Sequence, residues 1–181
     1  DRSSAASDVY KRQESEDVKR IKINPPLAFP EKVKEVSNLL SNAKKPVLVV
    51  GGQVQISTRA RKLVEKVAKA HNLPVLCTYE HQDIISNDNL HYAGELGLRP
   101  PEPIRKNALE ADLVLVVGHR FNGVPNMAYK FPSSKQTFIH VIPDPNTIGK
   151  IFRTDMGIVA DSENFLEQLS KFAINNTNNE R

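Results

Sequence analysis

One cysteine, no tryptophan and only eight glycines in 181 residues set the first limits. The single thiol, Cys77, excludes an internal disulfide framework and any multi-cysteine zinc or iron–sulfur centre. No apolar run approaches eighteen residues, so the sequence offers no membrane-spanning helix. The N-terminal stretch has no apolar signal-peptide core either, and a reducing, cytoplasmic setting is the expectation. Seven Phe and four Tyr leave few rings for base stacking. The 25 Lys and Arg against 21 Asp and Glu give a net charge of +4, which invites a nucleic-acid reading. That excess is dispersed through residues 31–45 and 59–69 among glutamates, the pattern of solvated helix faces, so no nucleic-acid partner is expected.

A hydrophobic content of 39% is ordinary for a globular chain, and the length suits one domain. Residues 1–28 lack a sustained apolar period and read as a disordered or linker segment. Within it, residues 3–13 (SSAASDVYKRQ) look like a translated adapter scar, which would make the chain a fragment. Residues 173–181 read as a polar, low-complexity tail.

Between these ends, residues 29–172 alternate in a regular way. Pro30 opens a helical stretch with Val33, Val36, Leu39 and Leu40 at helical spacing. The wholly apolar run Pro46-Val-Leu-Val-Val50 follows and closes on Gly51-Gly52. Such a run suits a strand covered on both faces. Ser57 or Thr58 can cap a helix striped by Ala60, Leu63, Val64 and Val67. Further strands are expected at residues 74–78, 112–117 and 137–142, with a short last one at 158–160. Residues 83–103 read mostly as loop, 104–111 as a short helix, and Asp161 or Ser162 caps a final helix. The alternation predicts an α/β fold: three layers, α/β/α, with a Rossmann-like, doubly wound, mostly parallel sheet.

In such a sheet, ligands bind beyond the carboxyl ends of the strands. That rule selects three loops. Gly51-Gly52 lies between a strand and a helix start, where free N–H groups and the helix dipole suit a phosphate. Tight turning alone explains the glycines equally well. Arg120, in Gly118-His-Arg-Phe-Asn-Gly123, carries a fork able to hold a diphosphate. Asp144, in Pro143-Asp-Pro145, can accept ribose hydroxyls, though Asp–Pro is also a common turn signal. His119 reads as a hydrogen-bonded structural residue, and Cys77 as an inert buried thiol. No GxSxG elbow, P-loop or HExxH pattern is present, so no catalytic residue and no metal ligand is assigned.

Six segments carry a further signal. They are residues 43–52 (AKKPVLVVGG), 73–78 (LPVLCT), 89–97 (NLHYAGELG), 110–121 (EADLVLVVGHRF), 138–145 (FIHVIPDP) and Ile148-Gly149. Their order and intervals resemble the central domain of thiamine-diphosphate (TPP) enzymes, in particular proteins like the acetolactate synthase large subunit. The resemblance covers about residues 29–172 and implies a DHS-like fold of the NAD/FAD-binding type. It implies that the parent enzyme is a carboligase or decarboxylase, a transferase or lyase, acting on a 2-oxo acid such as pyruvate. Thiamine diphosphate and Mg²⁺ would be held by flanking pyrimidine- and diphosphate-binding domains, and the full enzyme would be a homo-oligomer. This domain alone would be inactive.

The resemblance also implies FAD or an ADP-type nucleotide in this domain, contacted by Gly51, Gly52, the turn from Gly94 to Gly97, Gly118 and Arg120, with Asp144 beside them. The sequence departs from the flavin-binding pattern at three places. Gln53 stands where a third glycine is common, Asn122-Gly123-Val124 stands where the pattern has an acidic pair and a second arginine, and Ile142 replaces an aspartate. The alternatives are a free-standing dinucleotide-binding module and a scaffold domain without ligand.

Overall fold

In the strands Pro46–Val50 (β1) and Leu113–Val117 (β4), all five positions are buried, so both faces of the sheet are covered there. A computed structural model describes residues 23–172. It places six parallel strands in one sheet, in the order β3-β2-β1-β4-β5-β6. The remaining strands are Val75–Thr78 (β2), Tyr92–Leu96 (β3), Thr137–Ile142 (β5) and Met156–Val159 (β6). This order is that of a doubly wound sheet whose direction of winding reverses between β1 and β4.

Alternation along each strand sends its residues to two separate cores. Leu48 and Val50 join Leu113, Leu115 and Val117 on the first face. Three helices cover it: Pro30–Asn42 (α1), Thr58–His71 (α3) and Ser162–Leu169 (α5). Each places an apolar stripe at helical spacing, such as Val33, Val36 and Leu40 in α1, and Ala60, Val64, Val67 and Ala68 in α3. Val47, Val49, Val114 and Val116 face the other way. That second face is covered by one helix, Glu102–Glu110 (α4), and by an aromatic group. The Phe121 ring lies 5.7 Å from Phe131 and 5.9 Å from Phe138, within the range of favourable ring pairs.

The starts of α3 and α5 are joined by polar contacts. Ser57 caps α3 by accepting from the Ala60 N–H and donates its own hydroxyl proton to Glu163 of α5. Arg59 bridges Glu163 at 2.6 Å and Glu167 at 2.7 Å. Asp161 caps α5 by accepting from the Asn164 N–H.

Most expected elements are present, with four differences. A four-residue helix, Gly52–Gln55 (α2), directly follows β1, so the Gly-Gly turn does not lead straight into α3. The stretch read as loop contains β3, flanked by a 3₁₀ turn at Gln82–Ile84. This strand hid because Tyr-Ala-Gly-Glu-Leu has no β-branched residue, is half-buried at the sheet edge, and carries a register shift opposite Val75/Leu76. The last strand begins at Met156, two residues earlier than expected. The linker reading extends too far: Ala28 is buried, and the Pro26 carbonyl accepts from the Asp161 N–H at 2.8 Å. Residues 1–22 and the 173–181 tail, with the adapter-like segment, lie outside the described residues.

Amide exchange should be slowest in Val47–Val50 and Leu113–Val117, the doubly covered strands, and fast exchange in both would contradict this burial. Gly94 in β3 gives a second check. Its φ is +116°, and an added Cβ would lie 2.2 Å from Ile104 Cδ1 of α4. Gly94→Ala should cost about 1–3 kcal/mol, read as a lower urea midpoint. Ile104→Val, which removes that methyl, should recover part of the loss in the double variant.

Candidate functional site

The carboxyl ends of β1, β4 and β5 are tied together by backbone. The Gly51 N–H donates to the Val117 carbonyl at 3.2 Å, and the Gly118 N–H donates to the Val141 carbonyl at 3.0 Å. The Gln53 N–H donates back to the Gly118 carbonyl at 3.0 Å. A cleft of about 450 Å³ opens above these ends, lined by Gly52, Gln53, Gly118, His119, Arg120 and Asp144 among others. Its volume falls in the range of small-ligand sites, roughly 300–1,000 Å³. It stands where the strand order reverses, the usual ligand position in this architecture.

The structure brings Gly52, Gly118, Arg120 and Asp144 together around this cleft; Gly51 is next to Gly52 in the chain but is not a lining residue. Gly94 and Gly97 are not among its lining residues. Gly94 is explained by the close approach of Ile104, and Gly97 sits beside Glu95 and Tyr79. Arg120 is exposed, and among the described residues it forms no ion pair or side-chain hydrogen bond. Asp144 is committed to its own turn. One carboxylate oxygen accepts from the Asn146 N–H at 3.0 Å, the other from the Thr147 hydroxyl at 2.9 Å. Those bonds hold its pKa below the usual carboxylate value, the Thr147 hydroxyl most of all.

The glycines have physical reasons of their own. An added Cβ on Gly51 would meet the His119 side chain at 2.4 Å, and one on Gly52 would meet His81 Nε2 at 2.6 Å. At Gly118, φ is +73° and a Cβ would meet the Ser162 hydroxyl at 2.7 Å. The helix that the sequence offers as a phosphate seat is also displaced. The start of α3 is capped by Ser57 itself, and Ser57 does not line the cleft.

Two side chains of the cleft carry more of the geometry than their sequence signal suggested. His119 accepts the Phe121 N–H at its Nδ1, 2.8 Å away, which leaves its proton on Nε2. Its carbonyl accepts from His140 Nε2 at 2.8 Å. Burial, then the nearby His81, Arg120 and His140, push the His119 imidazole down to about 4. His81 pairs with the Thr78 hydroxyl at 3.0 Å and meets the His119 ring edge-on at 5.9 Å. His81 had no motif spacing in the sequence, because the imidazole it meets, His119, lies far along the chain. Burial pushes the Cys77 thiol up to about 12, so it stays protonated and unreactive at ordinary pH.

Fold and cleft together define a doubly wound α/β domain with a ligand-sized opening at its winding reversal. Residues 33–169 match the family described as "Thiamine pyrophosphate enzyme, central domain", and the chain belongs to that family. It is 30% identical over 139 residues to the acetolactate synthase isozyme 3 large subunit of Escherichia coli (strain K12), covering 76% of this chain and 24% of that one. It is 28% identical over 149 residues to the glyoxylate carboligase of Escherichia coli O157:H7, covering 82% of this chain and 25% of that one. Among solved structures it superposes on benzoylformate decarboxylase from Polynucleobacter necessarius with a TM-score of 0.64 at 24% identity. That match covers 89% of this chain and 30% of the other, and shows the shared fold. The chain thus spans about a quarter of the length of the curated relatives it matches. No helix of the described residues is long and apolar enough to cross a membrane.

Three imidazoles, the buried His71 and His140 and the half-buried His119, have pKa values lowered first by loss of solvent contact. Above about pH 6.5 they are neutral in both the folded and unfolded chain. Below it the unfolded chain takes up protons that the fold does not, so stability falls from about pH 6.5 towards 4. The urea midpoint should decline across that window at constant salt. His71→Gln, which removes one titrating group while keeping a donor towards the Leu169 carbonyl, should make the decline shallower. A midpoint flat from pH 7 to 5 would contradict the burial of these groups.

Proposed function

We propose that residues 29–172 form the central domain of a thiamine-diphosphate-dependent carboligase or decarboxylase resembling acetolactate synthase. The parent enzyme would act on a 2-oxo acid such as pyruvate. The carrying observation is the family match over 33–169, set on a sheet whose cleft lies at the winding reversal. Flanking pyrimidine- and diphosphate-binding domains would hold thiamine diphosphate and Mg²⁺, and that cofactor would stabilise the carbanion formed on decarboxylation. This domain would supply scaffold and subunit contacts within a cytoplasmic homo-oligomer. The reading is supported by curated relatives named acetolactate synthase and glyoxylate carboligase.

Within the domain, the cleft is the proposed seat of an adenine nucleotide, of the FAD or ADP type. Arg120 is the cation placed for a phosphate, and a charge-assisted hydrogen bond there is typically worth about 1.5–3 kcal/mol. Gly118, Asn122 and Thr147 line the same opening. Gly94 and Gly97 would act at a distance, by setting the position of β3. A second reading, a scaffold without ligand, is favoured by one observation: imidazoles already occupy the space above Gly51 and Gly52.

The flanking reading frame should encode an upstream domain with a catalytic glutamate and a downstream GDG-type metal motif. The isolated domain should release no CO₂ from pyruvate with added thiamine diphosphate and Mg²⁺, and turnover by pure domain would overturn the division of roles. In calorimetric titrations, Arg120→Ala should weaken ADP binding by about ten- to a hundredfold. Absence of any binding of FAD, ADP or AMP up to millimolar concentration would leave the scaffold reading.

A further inference from the structure

In a doubly wound sheet the turn after the first strand is where a diphosphate is normally cradled, because glycines there let it approach the backbone. In this chain the approach is already taken. The space a side chain would need at Gly51 lies within 2.4–2.8 Å of three atoms of His119, Cβ, Cγ and Cδ2. The equivalent space at Gly52 is held by His81 Nε2 at 2.6 Å. Two imidazoles therefore lie on the two glycines, and they stand edge to face with each other at 5.9 Å.

Neither ring is a loosely placed surface group. His119 is fixed through its Nδ1 to the Phe121 N–H, and its backbone carbonyl is held by His140. It also meets the Phe121 ring edge-on at 6.5 Å. His81 is fixed through Nδ1 to Thr78. Arg120, Asn122 and Thr147 also line the cleft. One unpaired guanidinium can neutralise one phosphate well. A diphosphate needs a second anchor, and the second anchor of this fold lies beneath the imidazoles.

We propose that His81 and His119 are specificity-determining residues of the cleft. They fill the diphosphate seat over Gly51 and Gly52 and bias the site against ligands whose diphosphate must cross the end of β1. Ligands with a single phosphate at Arg120 are favoured. This rests on the reading of the cleft as a nucleotide site and narrows its ligand from the FAD or ADP type to nucleotides that carry a single phosphate.

The test is a titration of the folded domain with AMP, ADP and FAD, in the wild type and in His81→Ala, His119→Ala and His119→Asn. The last variant is shorter than histidine yet keeps an acceptor for the Phe121 N–H, so it guards against a loss of folding in His119→Ala. Circular dichroism melts verify that each variant is folded. The expected result is a rise of tenfold or more in the ratio of ADP affinity to AMP affinity in the His81 and His119 variants, with FAD binding strengthened in parallel. An unchanged ratio in the folded variants overturns the proposal. If the wild type binds ADP and Arg120→Ala loses it while the ratio stays fixed, the nucleotide site stands and only the histidine filter falls. If no nucleotide binds the wild type or any variant, both fall.

Discussion

The lateral backbone bonds that continue the sheet beyond its strands are what the cleft depends on. Gly51 donates to Val117, Gly118 to Val141, and Gln53 back to Gly118. These bonds bring the ends of β1, β4 and β5 to one level and pin the start of α2 against the turn after β4. Gly118 must take a positive φ to make its share, and a side chain there would strike Ser162 and Gln53. The positions of His119 and Arg120 follow from that one turn. The functional face is therefore set by main-chain geometry at glycine positions, and the side chains are added to it.

This explains why the fold was more legible in the sequence than the site. Runs such as Val47–Val50 and Leu113–Val117 announce doubly buried strands by composition alone, and the helix stripes follow from spacing. The strand at Tyr92–Leu96 was missed because its burial is partial and its centre is a glycine required by Ile104, a contact from a distant helix. The glycines at 51 and 52 were visible, and so was the turn they make. Their neighbours were not: nothing in the spacing of residues 51, 81 and 119 says that two imidazoles will close over two glycines. Asp144 lines the cleft, and its carboxylate is engaged by Asn146 and Thr147 within the local turn that the Asp–Pro pair signals.

The two faces of the sheet are built unequally. Three helices shield one, whereas one helix and a cluster of phenylalanines shield the other. The segment between β4 and β5 does the work of a helix without being one. Its turn is held by the buried Asn126, whose amide donates to the Phe121 carbonyl at 3.2 Å and whose oxygen accepts from the Tyr129 N–H at 2.9 Å. Met127, Ala128 and Tyr129 all take positive φ in that turn, a conformation costing about 1–2 kcal/mol per residue without compensating contacts. The aromatic packing of Phe121 and Phe131 at its two ends offsets that cost.

The clamp between α3 and α5 has a consequence in time. Ser57 and Arg59 stand at the start of α3, in the first strand crossover, yet their carboxylate partners, Glu163 and Glu167, come more than a hundred residues later. On a ribosome adding roughly 5–20 residues per second, the cap of α3 emerges several seconds before the groups that complete it. The central strand β1 likewise waits for β4 before its second edge is paired. The early half of this domain thus passes through synthesis with an open sheet edge and an unanswered arginine, and closes as a unit only when its last helix arrives.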